Sequence, residues 1–390
     1  MSTKILRHHT YWAVFFMAFY SSLPAYINSS FLSQRVSAQA IGLVYSASSI
    51  LIILAILKLN YFLNRFGLLT TTIFLSVLAS LVILPLVLGG PFWLVIGTFI
   101  IYLALGSIIR YQLDIYLENI SNNANTGAIR AWSLTALNIA WLGSPLLAAW
   151  LLGVGNYALV FLISALTLLP FILLLTFFMT EYFPQPNSKA NSIFYNFYLL
   201  RSQKNQNSHD LKNILLIDFA LNFFYSLMVI YMPLYLHTKI GLTWTEIGFA
   251  FSIMLLPFVL FEIPLGRLAD KVYGEKEILI AGLTLTGLAT IVAGLFSGSN
   301  WIWWAVILFA TRTGAASVEI MKETYLFKKI NSQDIAIIGL SRLNSPLASL
   351  VGPLLGGLIL LVANFHWLFV LLGIFILTMI INAYRLVDTR

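Results

Sequence analysis

The chain has 390 residues, only 9% of them charged, and a mean hydropathy of +0.90, whereas a soluble domain carries about 25% charged residues. A surface this apolar would aggregate in water, so lipid is the solvent for most of the chain. The net charge of +8 comes from basic residues scattered between apolar runs, a distribution that suits a bilayer and not a nucleic-acid partner, and the lack of cysteine excludes disulfides, iron–sulfur clusters and thiolate zinc sites.

A helix that spans a bilayer needs ~20 mostly apolar residues. Lys4 and Arg7 precede the first such run, 11–32. It is too long for a signal-peptide core and no small-x-small cleavage site follows, so it is expected to be kept as a span. Further runs follow near 38–59, 68–88, 92–117, 129–152, 157–180, 213–237, 244–266, 278–297, 301–326, 333–362 and 366–386. They are too long for strands and lack alternation with period two. Backbone groups in hydrocarbon must bond within their own segment. The predicted fold is therefore an all-α polytopic membrane protein with 12 transmembrane helices.

Lysines and arginines collect at one set of span ends, and only Arg35 and Lys239 fall among the connections at the other. The bias of basic residues toward the cytoplasm predicts a cytoplasmic (inner) membrane protein with both termini inside. The outer connections are short: GG at 89–90, GVGN at 153–156 and SGSN at 297–300. One long inner connection, 181–212, is rich in Asn, Ser, Gln and Lys; its NSIFYNFYLL stretch is either a surface helix or part of a disordered linker. The predicted domains are 1–183, a linker at 184–212, and 213–390.

The halves repeat. A shift of 206 lays SAQAIGLVYS (37–46) over TWTEIGFAFS (243–252) and puts Asn60, Asn64 and Arg65 on Gly266, Asp270 and Lys271. A shift of 209 puts DIYL (114–117) on ETYL (323–326), and GSPLLAA (143–149) matches GPLLGG (352–357). Duplicated six-helix halves of parallel topology suggest a transporter that works by alternating access around a midplane site.

Between the eighth and ninth spans, EIPLGRLADKVYGEK (262–276) resembles the loop signature of the major facilitator superfamily, Gly-x-x-x-Asp-Arg/Lys followed by Gly and basic residues. Gly266, Asp270, Lys271, Gly274 and Lys276 occupy the pattern, with one extra residue before Gly274. The first-half copy, NYFLNRFG, departs from it: Asn60 and Asn64 replace the glycine and aspartate, while Arg65 and Gly67 remain. ATRTGAA (310–316) faintly resembles the superfamily's Arg-x-x-x-Gly helix signature. The resemblance implies two pseudo-symmetric six-helix bundles, a secondary transporter that acts as a monomer, and no cofactor. It also implies an inner gate. Gly266 lets the helix end turn closely against a neighbour, and Asp270 faces the positive amino-terminal end of the fifth span, where Arg130 stands. A solvated loop charge is the other reading of Asp270.

Charges within spans are costly and usually face a cavity or a partner. Arg312 falls near the middle of its span and Arg342 fairly deep in the next. Glu319 lies two turns from Arg312 on the same face, at a depth where it can pair with Arg342. Glu319 is the candidate proton carrier, since a carboxylate in low dielectric beside a breakable arginine pair can titrate near neutral pH. Arg312 is the candidate substrate ligand, and a structural ion pair is the competing interpretation of both. Lys322 and Glu323 are expected near the inner headgroups, in structural roles.

Asp218, Asn222 and Tyr225 recur at i, i+4 and i+7, and Asn138 and Asn344 also reach mid-depth. Arg110, Asp114 and Glu118 form a ladder near the inner end of the fourth span, where Asp114 or Glu118 can meet Arg130 in a gate. Asp218 and Glu262 are further proton-site candidates; for Glu262 a helix-capping role competes. The aromatic residues of the first span and WIWW at 301–304 are expected to form interfacial belts. No histidine cluster has metal-ligand spacing, and no GxxxxGK loop is present, which argues against primary ATP-driven transport. The leading function is proton-coupled movement of a small polar solute, with the deep Arg312 and Arg342 favouring an anionic or hydrogen-bond-rich one. A proton-coupled drug or metabolite efflux antiporter is the rival, and a membrane enzyme or a non-transporting sensor comes from another class.

Overall fold

The computed structural model describes residues 3–120, 126–179, 206–261, 264–265, 268–269, 274–329 and 335–387. The predicted linker helix in NSIFYNFYLL lies outside them. Within these bounds the chain is all helical. Helices α1 (Thr3–Ser22), α2 (Asn28–Ser33), α3 (Ala38–Phe66), α4 (Leu68–Val82), α5 (Leu84–Leu88), α6 (Phe92–Asn119), α7 (Thr126–Val154) and α8 (Tyr157–Phe178) form the first half. The second half holds α9 (Gln206–Tyr235), a π turn at Leu236–Ile240, α10 (Trp244–Leu260), α11 (Glu275–Leu295), α12 (Trp301–Lys329), α13 (Ile335–Val362) and α14 (Phe365–Tyr384). Among the described residues, ten helical segments are long and apolar enough to cross a membrane; Trp244–Leu260 is apolar but shorter.

Local chemistry sets the helix ends. The first predicted run is not continuous. The chain leaves the helix after Ser22 and resumes at Asn28, because Pro24 has no N–H for the helical ladder. Pro85 likewise divides the third predicted run into α4 and α5. Several helices continue beyond their predicted runs, α3 to Phe66 and α12 to Lys329, since a polar turn outside hydrocarbon still makes its intrahelical hydrogen bonds. Equivalent caps recur in the two halves. Gly67 and Gly274, with φ of 83° and 80°, start α4 and α11, a backbone conformation that a side chain would strain. Asn156 and Asn364 cap α8 and α14 by accepting from Leu159 N and Trp367 N at 3.3 and 3.4 Å.

The chain divides into two compact units. The first comprises Met1–Ser37, Val44–Ser188 and Thr243–Ser252. There α1 packs on α6, α7 and α8, and α4 on α6 and α8. Ser22 and Ser144 share a hydrogen bond of 2.6 Å, and Ser164 Oγ donates to Tyr20 O at 2.7 Å. Tyr20 is fully buried, with its ring edge-on to Tyr102. It is a core residue, unlike the belt residue expected from its place in an aromatic run.

The second unit comprises Ala38–Leu43, Lys189–Leu242 and Ile253–Arg390. Here α9 packs on α12, α13 and α14, while α11 packs on α12 and α14. Close approach rests on small residues. A Cβ on Gly314 of α12 would come within 2.6 Å of Gly282 O on α11, and one on Gly373 of α14 within 2.6 Å of Gly287 O. Trp304 of the WIWW run is fully buried and donates from Nε1 to Gly298 O at 2.8 Å, whereas Trp303 stays exposed. Only part of that run therefore suits a belt.

Candidate functional site

Polar side chains converge in the second unit where α9, α12 and α13 meet. Asp218 lies about 18 Å along α9 at 1.5 Å per residue and is 5% exposed. It forms an ion pair through Oδ1 with Lys322 Nζ of α12. Asn222 Nδ2 also donates to Oδ1, at 3.1 Å. From α13, Asn344 Nδ2 and Ser341 Oγ donate to Oδ2 at 2.8 and 3.3 Å. The two amides reach backbone as well: Asn222 to Asp218 O at 2.8 Å and Asn344 to Leu215 O at 2.9 Å. Burial of an ion is tolerable only with a counter-charge and satisfied lone pairs, and Asp218 has both. A small cleft beside the pair is lined by Ile214, Leu215, Asp218, Lys322, Glu323, Leu326 and Ser341.

Two turns from Asp218 on the same face of α9, Tyr225 donates its hydroxyl to Glu319 Oε2 at 2.7 Å. Its ring also carries a cation. The guanidinium of Arg312 lies 5.0 Å from the Tyr225 ring centre and 5.3 Å from that of Phe224, within the range of cation–π attraction. Arg312 is 2% exposed. Among the described residues no carboxylate pairs with it, and its Nε has no hydrogen-bond partner. Tyr225 thus touches both charges, with its face toward Arg312 and its hydroxyl on Glu319.

The predicted residues Asp218, Asn222, Tyr225, Arg312, Glu319 and Asn344 all belong to this one set. The side chain of Arg342 lies outside the described residues, so the expected Glu319–Arg342 pair is not placed; the hydroxyl on Glu319 comes from Tyr225. Asn138 is half-buried on α7 of the first unit. Of the gate residues, Glu262, Gly266, Asp270 and Lys271 fall outside the described residues, as does the side chain of Arg130. Gly274 is buried and donates its N–H to Ala269 O at 3.1 Å. Arg65 is exposed, donating to Tyr61 Oη at 3.1 Å and lying over the Phe66 ring. Arg110, Asp114 and Glu118 share one uncovered face of α6.

The pairing of Lys322 with Asp218 and the contact of Ser341 were not anticipated. Lys322 was expected in a structural role, and α12 continues beyond it to Lys329, about 10 Å further along the axis. The usable signal was the spacing of Glu319 and Lys322, which puts them on one face. The lysines at the carboxyl end of α12 are engaged too. Lys329 Nζ pairs with the buried Asp210 at 3.0 Å and Lys328 pairs with the buried Glu275. Tyr325 donates to Asp210 Oδ2 and to Val387 O, each at 2.9 Å.

The sequence model of the Major Facilitator Superfamily matches residues 10–253 and 214–390. The chain belongs to the Major Facilitator Superfamily. It is accordingly an integral membrane protein and a secondary transporter, as the resemblance of its EIPLGRLADKVYGEK loop implied. A solved structure, that of a point mutant of the nucleoside transporter NupG, matches with a TM-score of 0.76 and 11% sequence identity over 98% of this chain and 99% of that chain. At that identity the likeness is one of fold. None of the curated proteins matches this superfamily member in sequence.

Proposed function

We propose that this transporter moves a small, polar, anionic solute across the inner membrane by alternating access, coupled to protons, with both termini in the cytoplasm. The observation that carries the proposal is Arg312: a buried guanidinium in a spanning helix, held by two aromatic faces and, among the described residues, by no carboxylate. A charge that costs ~2.5 kcal/mol or more to place in a bilayer and lacks a resident counter-ion suits an anionic group that comes and goes. Tyr225 stands beside it, with its ring toward the guanidinium, and Asn222, Asn344, Arg342 and Asn138 are proposed as further polar contacts for the solute.

Glu319 is the proton carrier in this scheme. Its hydroxyl partner, Tyr225, also bears Arg312, so a change in the charge of Glu319 is felt where the anion binds. Asp218 and Glu262 are the other carboxylates available to a proton path. At the inner side the proposed gate sets Asp270 of the Gly266–Gly274 loop against the start of the fifth span and Arg130, with Asp114 or Glu118 of the Arg110 ladder as the alternative partner of Arg130 and Arg65 as the first-half counterpart of Lys271.

The test uses the purified chain reconstituted in vesicles. Counterflow and gradient-driven uptake are measured for organic acids, sugar phosphates, nucleosides and lipophilic cations, with and without an imposed pH difference. Nucleosides belong in the panel because a structure of the same fold is described as a nucleoside transporter. An anion is expected to be accumulated when the outside is acidic. Arg312→Ala abolishes its counterflow, and Glu319→Gln keeps counterflow while losing the pH-driven accumulation. Undiminished counterflow in Arg312→Ala overturns the substrate assignment, and movement of lipophilic cations alone replaces it with efflux.

A further inference from the structure

The transport reading counts Asp218 among the carboxylates of a proton path but leaves its partner, Lys322, without a task. An ammonium is a compact point charge with three donors on a flexible four-carbon stem. Here the stem crosses from α12 to place that charge against a carboxylate of α9, and the lysine side chain is 12% exposed. The surroundings are the carboxylate of Asp218, the hydroxyl of Ser341, the amides of Asn222 and Asn344, and the carbonyl of Leu215. Each of these groups owns an oxygen. The amides now turn their N–H toward Asp218, but rotating a terminal amide by half a turn presents its oxygen instead. Turning Asn344 also releases Leu215 O, which accepts from it now.

Without the ammonium, the cradle is a set of oxygen donors around one negative charge, the chemistry that holds hard cations. Glu319 and Glu323 of α12 also act electrostatically on Lys322. From α13, Ser341 and Asn344 contribute no charge, and the adjoining cleft reaches Asp218, Lys322 and Ser341.

We propose that Lys322 is a tethered cation: its ammonium fills a monovalent-cation site built around Asp218, so the native chain takes up no sodium there, and removing the ammonium uncovers a sodium site. The inference stands whatever solute the chain carries and whichever carboxylate carries protons, because its readout is cation binding and not transport.

The full-length protein is purified in detergent and its melting followed by tryptophan fluorescence in sodium chloride and in choline chloride at equal ionic strength. Wild type is expected to melt at the same temperature in both. Lys322→Ala and Lys322→Gln melt lower in choline and rise saturably with sodium. Asp218→Asn combined with Lys322→Ala melts higher than Lys322→Ala in choline and shows no sodium response. A sodium-induced rise in wild type equal to that in Lys322→Ala overturns the proposal, as does a folded neutral variant indifferent to sodium. If neither neutral variant folds in either salt, the cradle cannot accept a free ion and the proposal fails.

Discussion

Tyr225→Phe removes one hydroxyl and leaves the ring that lies 5.0 Å beneath Arg312. What is lost is the 2.7 Å hydrogen bond to Glu319 Oε2. Hydrogen bonds to charged groups contribute ~1.5–3 kcal/mol, so that is the expected cost. Tyr225→Leu also forfeits the cation–π contact, a further ~0.5–2 kcal/mol. Tyr225 has another interaction besides these, so the single substitution does not isolate the hydrogen bond. A double-mutant cycle with Glu319→Ala does. Thermal melting in one detergent gives the four values, at roughly 2–4 °C per kcal/mol for a domain of 150–250 residues. The expected coupling is ~1.5–3 kcal/mol. If Tyr225→Phe costs the same in both backgrounds to within ~0.5 kcal/mol, the hydroxyl does not hold Glu319 and the linkage between Glu319 and Arg312 is lost with it.

Gly314 stands between Arg312 and Glu319 on α12, and a Cβ there would fall 2.6 Å from both Gly282 O and Thr286 N. Gly314→Ala should destabilise by ~1–3 kcal/mol through overpacking. Gly97→Ala, with nothing within 4 Å of the added atom, should instead gain up to ~1 kcal/mol from helix propensity; melting temperatures decide between them. Near the carboxyl end of α12, Asp210 accepts from Tyr325 and Val387 N and pairs with Lys329. Asp210→Asn should cost ~3 kcal/mol, the low end for a broken buried pair, because Lys329 can still reach solvent. Hydrogen exchange at the Val387 amide should quicken with it. Tyr325→Phe, which leaves the Asp210–Lys329 pair in place, should cost ~1.5–3 kcal/mol, the range for a hydrogen bond to a charged group.

The helices were legible because hydrocarbon permits so little else: a run such as 157–180 has no alternative that satisfies its backbone. The repeat was legible too, and its equivalent caps, Gly67 with Gly274 and Asn156 with Asn364, confirm it at atomic scale. Side-chain pairing was harder. The stripe of Asp218, Asn222 and Tyr225 announced a polar face, but not that its members would divide between Lys322 and Glu319. That choice depends on how deep α12 sits, and hydropathy fixes a helix's ends only to within a turn or two. The aromatic residues failed for a related reason. Composition cannot distinguish a ring at a headgroup from one packed within a bundle, so Tyr20 and Trp304 passed for belt residues. Both are core.

The same packing occurs once in each unit. The shift of 206 sets Gly42 over Gly248, and the match of GSPLLAA to GPLLGG sets Pro145 over Pro353 and Ala149 over Gly357. In the second unit a Cβ on Gly42 would overlap Pro353 O, and one on Gly357 would lie 2.5 Å from Gln39 O. In the first unit a Cβ on Gly248 would lie 2.6 Å from Ala149 Cβ and 2.9 Å from Pro145 O. Both glycines therefore occupy crossings where one helix has no room for a side chain. The obstacles differ, however. Gly42→Ala meets a backbone carbonyl that cannot turn away, whereas Gly248→Ala meets chiefly a methyl. Each should cost ~1–3 kcal/mol, Gly42→Ala nearer the top of that range. Only Gly248→Ala should be relieved by a second change, Ala149→Gly, which gives the first unit the residue that the second already has. Melting temperatures of the two single variants and the rescued double variant test this. A Gly248→Ala protein that gains nothing from Ala149→Gly would mean that the methyl contact is not what excludes a side chain there.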